Sequence, residues 1–261
     1  MGEPTEGARD AEVDLALARS VVYRMLALGL ARPTPESAEV LSSREARRAL
    51  MAAARLLDAR LGAPSLAPTV GVLVAQDPGT LGERRRQYGR LFGHAEAPVP
   101  PFETEYGAGV DHGQPQRLAD IAGYYLAFGL RPAARLDERV DHVACQCEFL
   151  DFLARKEAFL IAAGPEATGP LAAAERAETL AAARDAARGF LRDHLGRFGR
   201  AFVTRLVAED RDGYFAALGA LLRGVLDLDC RRLEVPPGPA TLNLRPPEAD
   251  PVPMACGSRE L

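Results

Sequence analysis

The sequence predicts an all-α protein folded as a single compact multi-helix bundle, on three observations. Ala and Leu dominate while Trp is absent, and both favour helix. Apolar residues recur at three-and-four spacing through most of the chain. No stretch shows the sustained apolar–polar alternation of a half-buried sheet, and no solenoid-period repeat is present. At 261 residues and 48% hydrophobic content the chain can bury a sizeable core.

The elements follow in order. Residues 1–11 read as a disordered, acidic N-terminus, and residues 12–234 as the helical domain. Glu12 to Leu30 carries Leu15, Ala18, Val22, Met25 and Leu26 on one face. Ala31-Arg32-Pro33 stops it, and Thr34-Pro35-Glu36 starts the next helix with a cap and a proline at the first position. Ser42 or Ser43 to Leu61 reads as a helix rich in Ala and Arg. Val70–Ala75 is a short apolar run without a partner run, read as a helix turn or loop. Thr80–Phe92 and Gln116–Phe128 are helical, the second closed by Gly129. Leu136 to about Ala163 is the central helix, with Asp137 as N-cap and Val140, Val143, Cys147, Leu150 and Ala154 along its buried face. Leu171–Leu195 is helical, and the pattern resumes through Phe198, Phe202 and Leu206 after a break at Gly196 or Gly199. Asp212–Leu228 is the last helix. Residues 235–261 are Pro-rich and aperiodic, a tail. The sum is roughly eight or more helices.

Composition excludes several function classes. A net charge of −4 and a pI near 5.7 argue against a nucleic-acid-binding domain. No segment reaches the roughly 18 apolar residues that span a bilayer. The N-terminus has neither the apolar core of a secretory signal nor the basic character of a transit peptide. The four cysteines therefore read as reduced thiols and the location as cytoplasmic.

No nucleophile elbow, phosphate-binding loop, dinucleotide fingerprint or zinc-protease motif is present. Cys145 and Cys147 lie two apart, where helical side chains diverge, and no further ligands stand at zinc spacing, so no metal and no cofactor is expected. His142 and Cys145 stand three apart. A helical thiol enzyme using that pair is one alternative; an adaptor acting through the C-terminal tail is another. The run Glu83-Arg84-Arg85-Arg86 reads as a solvated helix face, with phosphate binding by its arginine cluster as the alternative.

Four ordered stretches carry a likeness. Arg19–Leu26 is similar to an R-x-x-x-Y-x-L-L opening helix. Tyr88–Tyr106, YGRLFGHAEAPVPPFETEY, resembles Y-x-x-L-F…P-P-x-E-[ST]-x-Y. Glu138–Leu150 resembles E-P-x-D-H-[IL]-x-x-E-L-E-F-[ML], and Phe190–Leu195 resembles F-L-x-x-H-L. Together they resemble the TorD/DmsD/NarJ-like family of redox-enzyme maturation chaperones. Here Arg139 stands for the usual proline, Gln146 for the first glutamate, Cys147 for leucine, and Thr104 where serine is common.

The resemblance implies a TorD/DmsD-like bundle and a cytoplasmic chaperone rather than an enzyme. It implies binding of a molybdenum-cofactor oxidoreductase catalytic subunit of the DMSO-reductase type, held until cofactor is inserted, and often of that subunit's twin-arginine signal peptide. A leader of two arginines and an apolar stretch needs carboxylates beside an apolar groove. On that footing Glu103, Tyr106, Asp141 and His142 are expected at the polar end of a groove, Glu138 and Glu148 along its border, and Phe102, Phe149 and Leu150 in or behind its wall. The competing reading is that Asp141-His142 locks the loop onto the helix.

Overall fold

The computed structural model describes residues 6–62, 66–76, 79–93, 97–107, 113–131, 139–163 and 173–246. Among these, ten α-helices account for nearly all regular structure, and β pairing is confined to two isolated bridges.

The bundle is built on α1 (Glu6–Leu30) and α7 (Val143–Ala162), the most extensively packed pair. Helix α1 begins at Glu6, inside the stretch the sequence reads as disordered. Its first turn is exposed, with the acidic residue at the favourable end of the helix dipole. Further on it buries residues on a face broad enough to meet α3 (Arg44–Leu61) and α10 (Tyr214–Arg232) as well as α7.

Local signals fix several boundaries. Thr34 caps α2 (Pro35–Ser42) in a reciprocal box with Ser37, and Ser43 caps α3 by accepting from the Ala46 N–H at 3.1 Å. Gly62 ends α3 in the left-handed region at φ 63°. Thr80 and Glu83 form the box that starts α5 (Leu81–Phe92). Val70–Ala75 belongs to a full helix, α4 (Leu66–Ala75). Its cap is not local: the Asp58 carboxylate of α3 accepts from the N–H groups of Leu66 and Ala67 at 2.6 and 2.9 Å.

Two boundaries correct the sequence reading. The central helix starts at Val143, not near Asp137, because Asp141-His142 is drawn into an extended pairing with Phe102. Asp137 and Glu138 lie outside the described residues, as do the Gly164-Pro165 and Gly169-Pro170 punctuation, His94 and His112. The late break falls at His194 (φ −122°, ψ −103°), between α8 (Ala173–Asp193) and α9 (Leu195–Glu209). Gly196 follows because a Cβ there would sit 2.2 Å from the Leu191 carbonyl oxygen.

Helix α8 packs on α7 and α9, α9 on α10, and α4 between α3 and α10. The few aromatics gather in two clusters. Tyr124 and Tyr125 of α6 (Gln114–Ala127) meet Phe149 and Phe190, and Tyr88 and Phe92 meet Phe202 and Phe215, with ring centroids 4.8–6.5 Å apart. Edge-on and tilted contacts at this range add to burial.

The Pro-rich segment is not all tail. After α10 the chain returns along α9, where Gly238 N–H donates to the Gly196 carbonyl at 3.2 Å. It ends against the loop after α5: Gly107 N–H donates to Asn243 O at 2.9 Å and Arg245 N–H to Glu105 O at 2.9 Å. Residues beyond 246 lie outside the description. No helix among the described residues is long and apolar enough to cross a membrane.

Candidate functional site

The segment Pro100–Gly107 and the turn Arg139–His142 are far apart in sequence and buckled together in space. Glu103 N–H donates to Asp141 O at 3.0 Å and Val143 N–H to Pro101 O at 2.8 Å. The Asp141 carboxylate completes the clasp. It accepts from Thr104 N–H (3.1 Å) and Thr104 Oγ1 (2.8 Å), and from Arg139 Nε (3.1 Å) and Nη2 (2.9 Å). Two-pronged arginine contacts of this kind are directional and strong. The Arg139 guanidinium also lies 4.3 Å over the Phe102 ring. A proline at position 139 could supply neither contact.

His142 caps α7. Its Nδ1 accepts from Ala144 N–H at 3.0 Å, so the neutral ring carries its proton on Nε2, which faces the Tyr88 hydroxyl at 3.3 Å. Burial pushes the imidazole pKa down to about 4. The Asp141 carboxylate opposes that shift and Arg139 adds to it.

Glu103 turns the other way, into the core. Gln146 Nε2 donates to it at 2.8 Å, and the His194 imidazole and Arg197 guanidinium stand 3.3 and 3.5 Å away. The amide explains the departure at position 146. It can donate to the Glu103 carboxylate, whereas a second carboxylate there would need a proton to do so.

Of the residues expected to bind peptide, Glu103, Tyr106, Asp141 and His142 are wholly buried. In this conformation none of the four offers a surface to a partner, and Asp141-His142 locks loop to helix. Phe149 lies in the aromatic cluster between α6 and α8. Phe102 is half-buried against Arg139 and His142. Glu138 lies outside the described residues. Glu148 stands apart from the buckle, exposed on the first turns of α7.

Glu148 faces a cleft of about 730 Å³. One wall is α7, with Ala144, Cys145, Glu148 and Asp151. The other is the end of α1 and the turn after it, with Arg24, Ala27, Leu28, Ala31 and Arg32. Helix α5 closes the side with Arg85 and Tyr88. Tyr88 therefore joins cleft to buckle through His142. Asp151 is spent internally, accepting from Ser20 Oγ at 2.6 Å and pairing with Arg155 at 3.0 Å.

The sequence singled out Arg85 within its charge run but did not join it to Arg24 and Arg32, because the three come from separate elements. It did place Cys147 on the buried face of the central helix, and burial raises that thiol's pKa strongly. Arg84 departs from the solvated-face reading of its run: it is buried, hydrogen-bonded to Tyr214 and to the Ala38 carbonyl.

A family model described as nitrate reductase delta subunit matches residues 44–204. The match covers more than half the chain and includes the buckle and the α5 and α7 walls of the cleft. The α1 wall precedes it. No curated protein matches the chain.

Proposed function

The chain belongs to the nitrate reductase delta subunit family, a TorD/NarJ-type family of molybdoenzyme maturation chaperones, and from that premise we propose how it engages its client. It works in the cytoplasm on the catalytic subunit of a molybdenum-cofactor oxidoreductase of the DMSO-reductase type. It holds that subunit, through a twin-arginine leader or another segment, while cofactor is inserted and before any export. It is a binding protein and not an enzyme.

The observation that carries this reading is the cleft between α1 and α7, whose apolar floor is rimmed by charge on both walls. That is the surface an apolar client segment with charged flanks requires. Glu148 contacts the client. Phe102, Glu103, Tyr106, Asp141, His142 and Phe149 act through α7, by fixing its start and backing its wall.

The test is co-expression of the full chain with its tagged catalytic subunit, followed by calorimetry with peptides tiling that subunit's N-terminal region. Capture of the subunit, and binding of one peptide weakened at least tenfold by Glu148→Arg, is expected. Failure to capture the subunit overturns the reading. Peptide binding indifferent to Glu148→Arg removes the cleft from it.

A further inference from the structure

Resting on the chaperone reading, we propose that the client segment held in this cleft is an apolar stretch bearing acidic residues, not a pair of arginines. Among the described residues that line it, the cleft has two acids, Glu148 and Asp151. Asp151 is buried and already engaged by Ser20 and Arg155, with Arg24 at 4.0 Å. Of the two, Glu148 is the one left to meet an incoming cation.

The opposite rim carries Arg24, Arg32 and Arg85. Arg24 is 57% exposed at its side chain, and Arg32 and Arg85 are exposed. Arg32 has no ion-pair partner among the described residues. Arg85 uses Nε to donate to the Pro33 carbonyl at 3.0 Å, which fixes its guanidinium over the turn after α1. Among the described residues, the rim and its immediate ion partners set four guanidinium groups (Arg24, Arg32, Arg85 and the Arg155 that pairs with Asp151) against three carboxylates (Glu148, Asp151 and the Glu36 whose pKa Arg85 helps to lower), so the opening is cationic within a chain whose net charge is −4. Two arginines on a ligand would meet like charge on that rim, and like charges brought together across an interface are rejected. A glutamate or aspartate would be taken in two-pronged geometry.

The floor beneath the arginines is formed by Ala27, Leu28, Ala31, Tyr88 and Ala144, so the same ligand must be apolar between its charges. Glu148 on the far wall disfavours a polyanion such as a nucleotide and favours a segment that also places one cation there. The occupant is thus a polypeptide of mixed sign, acid toward α5 and the turn after α1.

The experiment uses the full chain and two fluorescent peptides of equal length and apolar pattern, one with two glutamates at its polar positions and one with two arginines, titrated at low salt. The glutamate peptide is expected to bind at least tenfold more tightly. Arg32→Glu/Arg85→Glu, checked for an unchanged circular-dichroism spectrum and urea midpoint, is expected to reverse the order. Equal or tighter binding of the arginine peptide, an order unchanged by the double variant, binding of neither peptide, or tight binding of a fluorescent nucleotide at the same cleft each overturns the proposal. Capture of the catalytic subunit separates the two levels. If the wild-type chain captures it and the double variant does so equally well, acid recognition fails while the chaperone reading stands. If the wild-type chain does not capture it, the chaperone reading itself fails.

Discussion

Replacing Asp141 with asparagine tests whether this carboxylate holds the loop to α7 or touches the partner. The side chain keeps its shape, but its four hydrogen bonds all come from donors: two from Thr104 and two from Arg139. Whichever way the amide is turned, its NH2 group meets a donor. The less costly choice sets it against Arg139 Nε and keeps the oxygen toward Thr104. That loses a charge-assisted bond, about 1.5–3 kcal/mol, and leaves a donor pair unsatisfied. Arg139 is 37% exposed at its side chain and keeps Glu105 at 3.5 Å, which limits the loss. The expected destabilisation is about 3 kcal/mol, a fall in melting temperature of roughly 10 °C for a chain of this size. Urea and thermal denaturation followed by circular dichroism measure it. A change below about 1 kcal/mol would show that the carboxylate does not hold the loop. Client binding measured well below the transition separates the roles. A positional Asp141 predicts less than a tenfold loss, whereas a roughly hundredfold loss in a folded variant, about 2.7 kcal/mol, would place the carboxylate on the partner.

Three other outcomes follow from the same geometry. His142 is buried neutral with a pKa of about 4 against 6.5 for the free side chain, so between those values the unfolded chain binds the extra proton. Stability should fall as pH drops through that window, by about 3 kcal/mol in all. His142→Asn, which keeps a cap, should flatten the urea-midpoint profile between pH 6.5 and 4.5, and an unchanged slope would show that another group carries it. Gln146→Glu places a second carboxyl beside Glu103, where it must hold a proton to donate. At pH 7 that costs about 4 kcal/mol and at pH 5 about 1 kcal/mol, so the penalty should shrink on acidification, and a pH-independent one would refute the account. In a Cys256→Ser background a thiol reagent should modify half-buried Cys145 first and reach Cys147 and Cys230, whose pKa values burial raises, only on unfolding; prompt reaction of Cys147 would contradict its burial.

Helices announced by residues within one turn of their ends were legible in the sequence: Thr34-Pro35, Ser43, and Thr80 with Glu83 all act locally. Those set by distant partners were not. Asp58 caps α4 from another helix. Asp141 sits beside a helix start yet serves Thr104, 37 residues away, so a stretch that reads as a first helical turn is a strand-like clasp. The same limit governs the site. Glu148 was visible as an acid beside an apolar helical face. Arg24, Arg32 and Arg85 become a group only when α1, its following turn and α5 are packed together. Arg139 looked like the loss of a proline, and its value rests on a carboxylate two residues on whose orientation the loop decides.

The buckle and the cleft are two ends of one device, because α7 carries both. His142 caps the helix, and Ala144, Cys145 and Glu148 form the cleft wall within the next two turns. Farther along, α7 is pinned to α1 by Ser20–Asp151 and by Arg19–Glu157. Burial disfavours the charge on Glu157, but the Arg19 guanidinium, with help from Arg232 and Arg184, outweighs it and holds the carboxyl at about 2. A carboxylate depressed in this way contributes its stability above its ordinary range and loses it only as pH falls toward 2. The pin therefore persists at every pH where the imidazole cap stays neutral. With the α1 and α7 walls fixed in this way, the proposed docking of a client segment would require little further ordering, and a preordered wall lowers the cost of association. On the proposed reading, adjustment to the client segment falls to the rim, where Arg24, Arg32, Arg85 and Glu148 project from exposed positions.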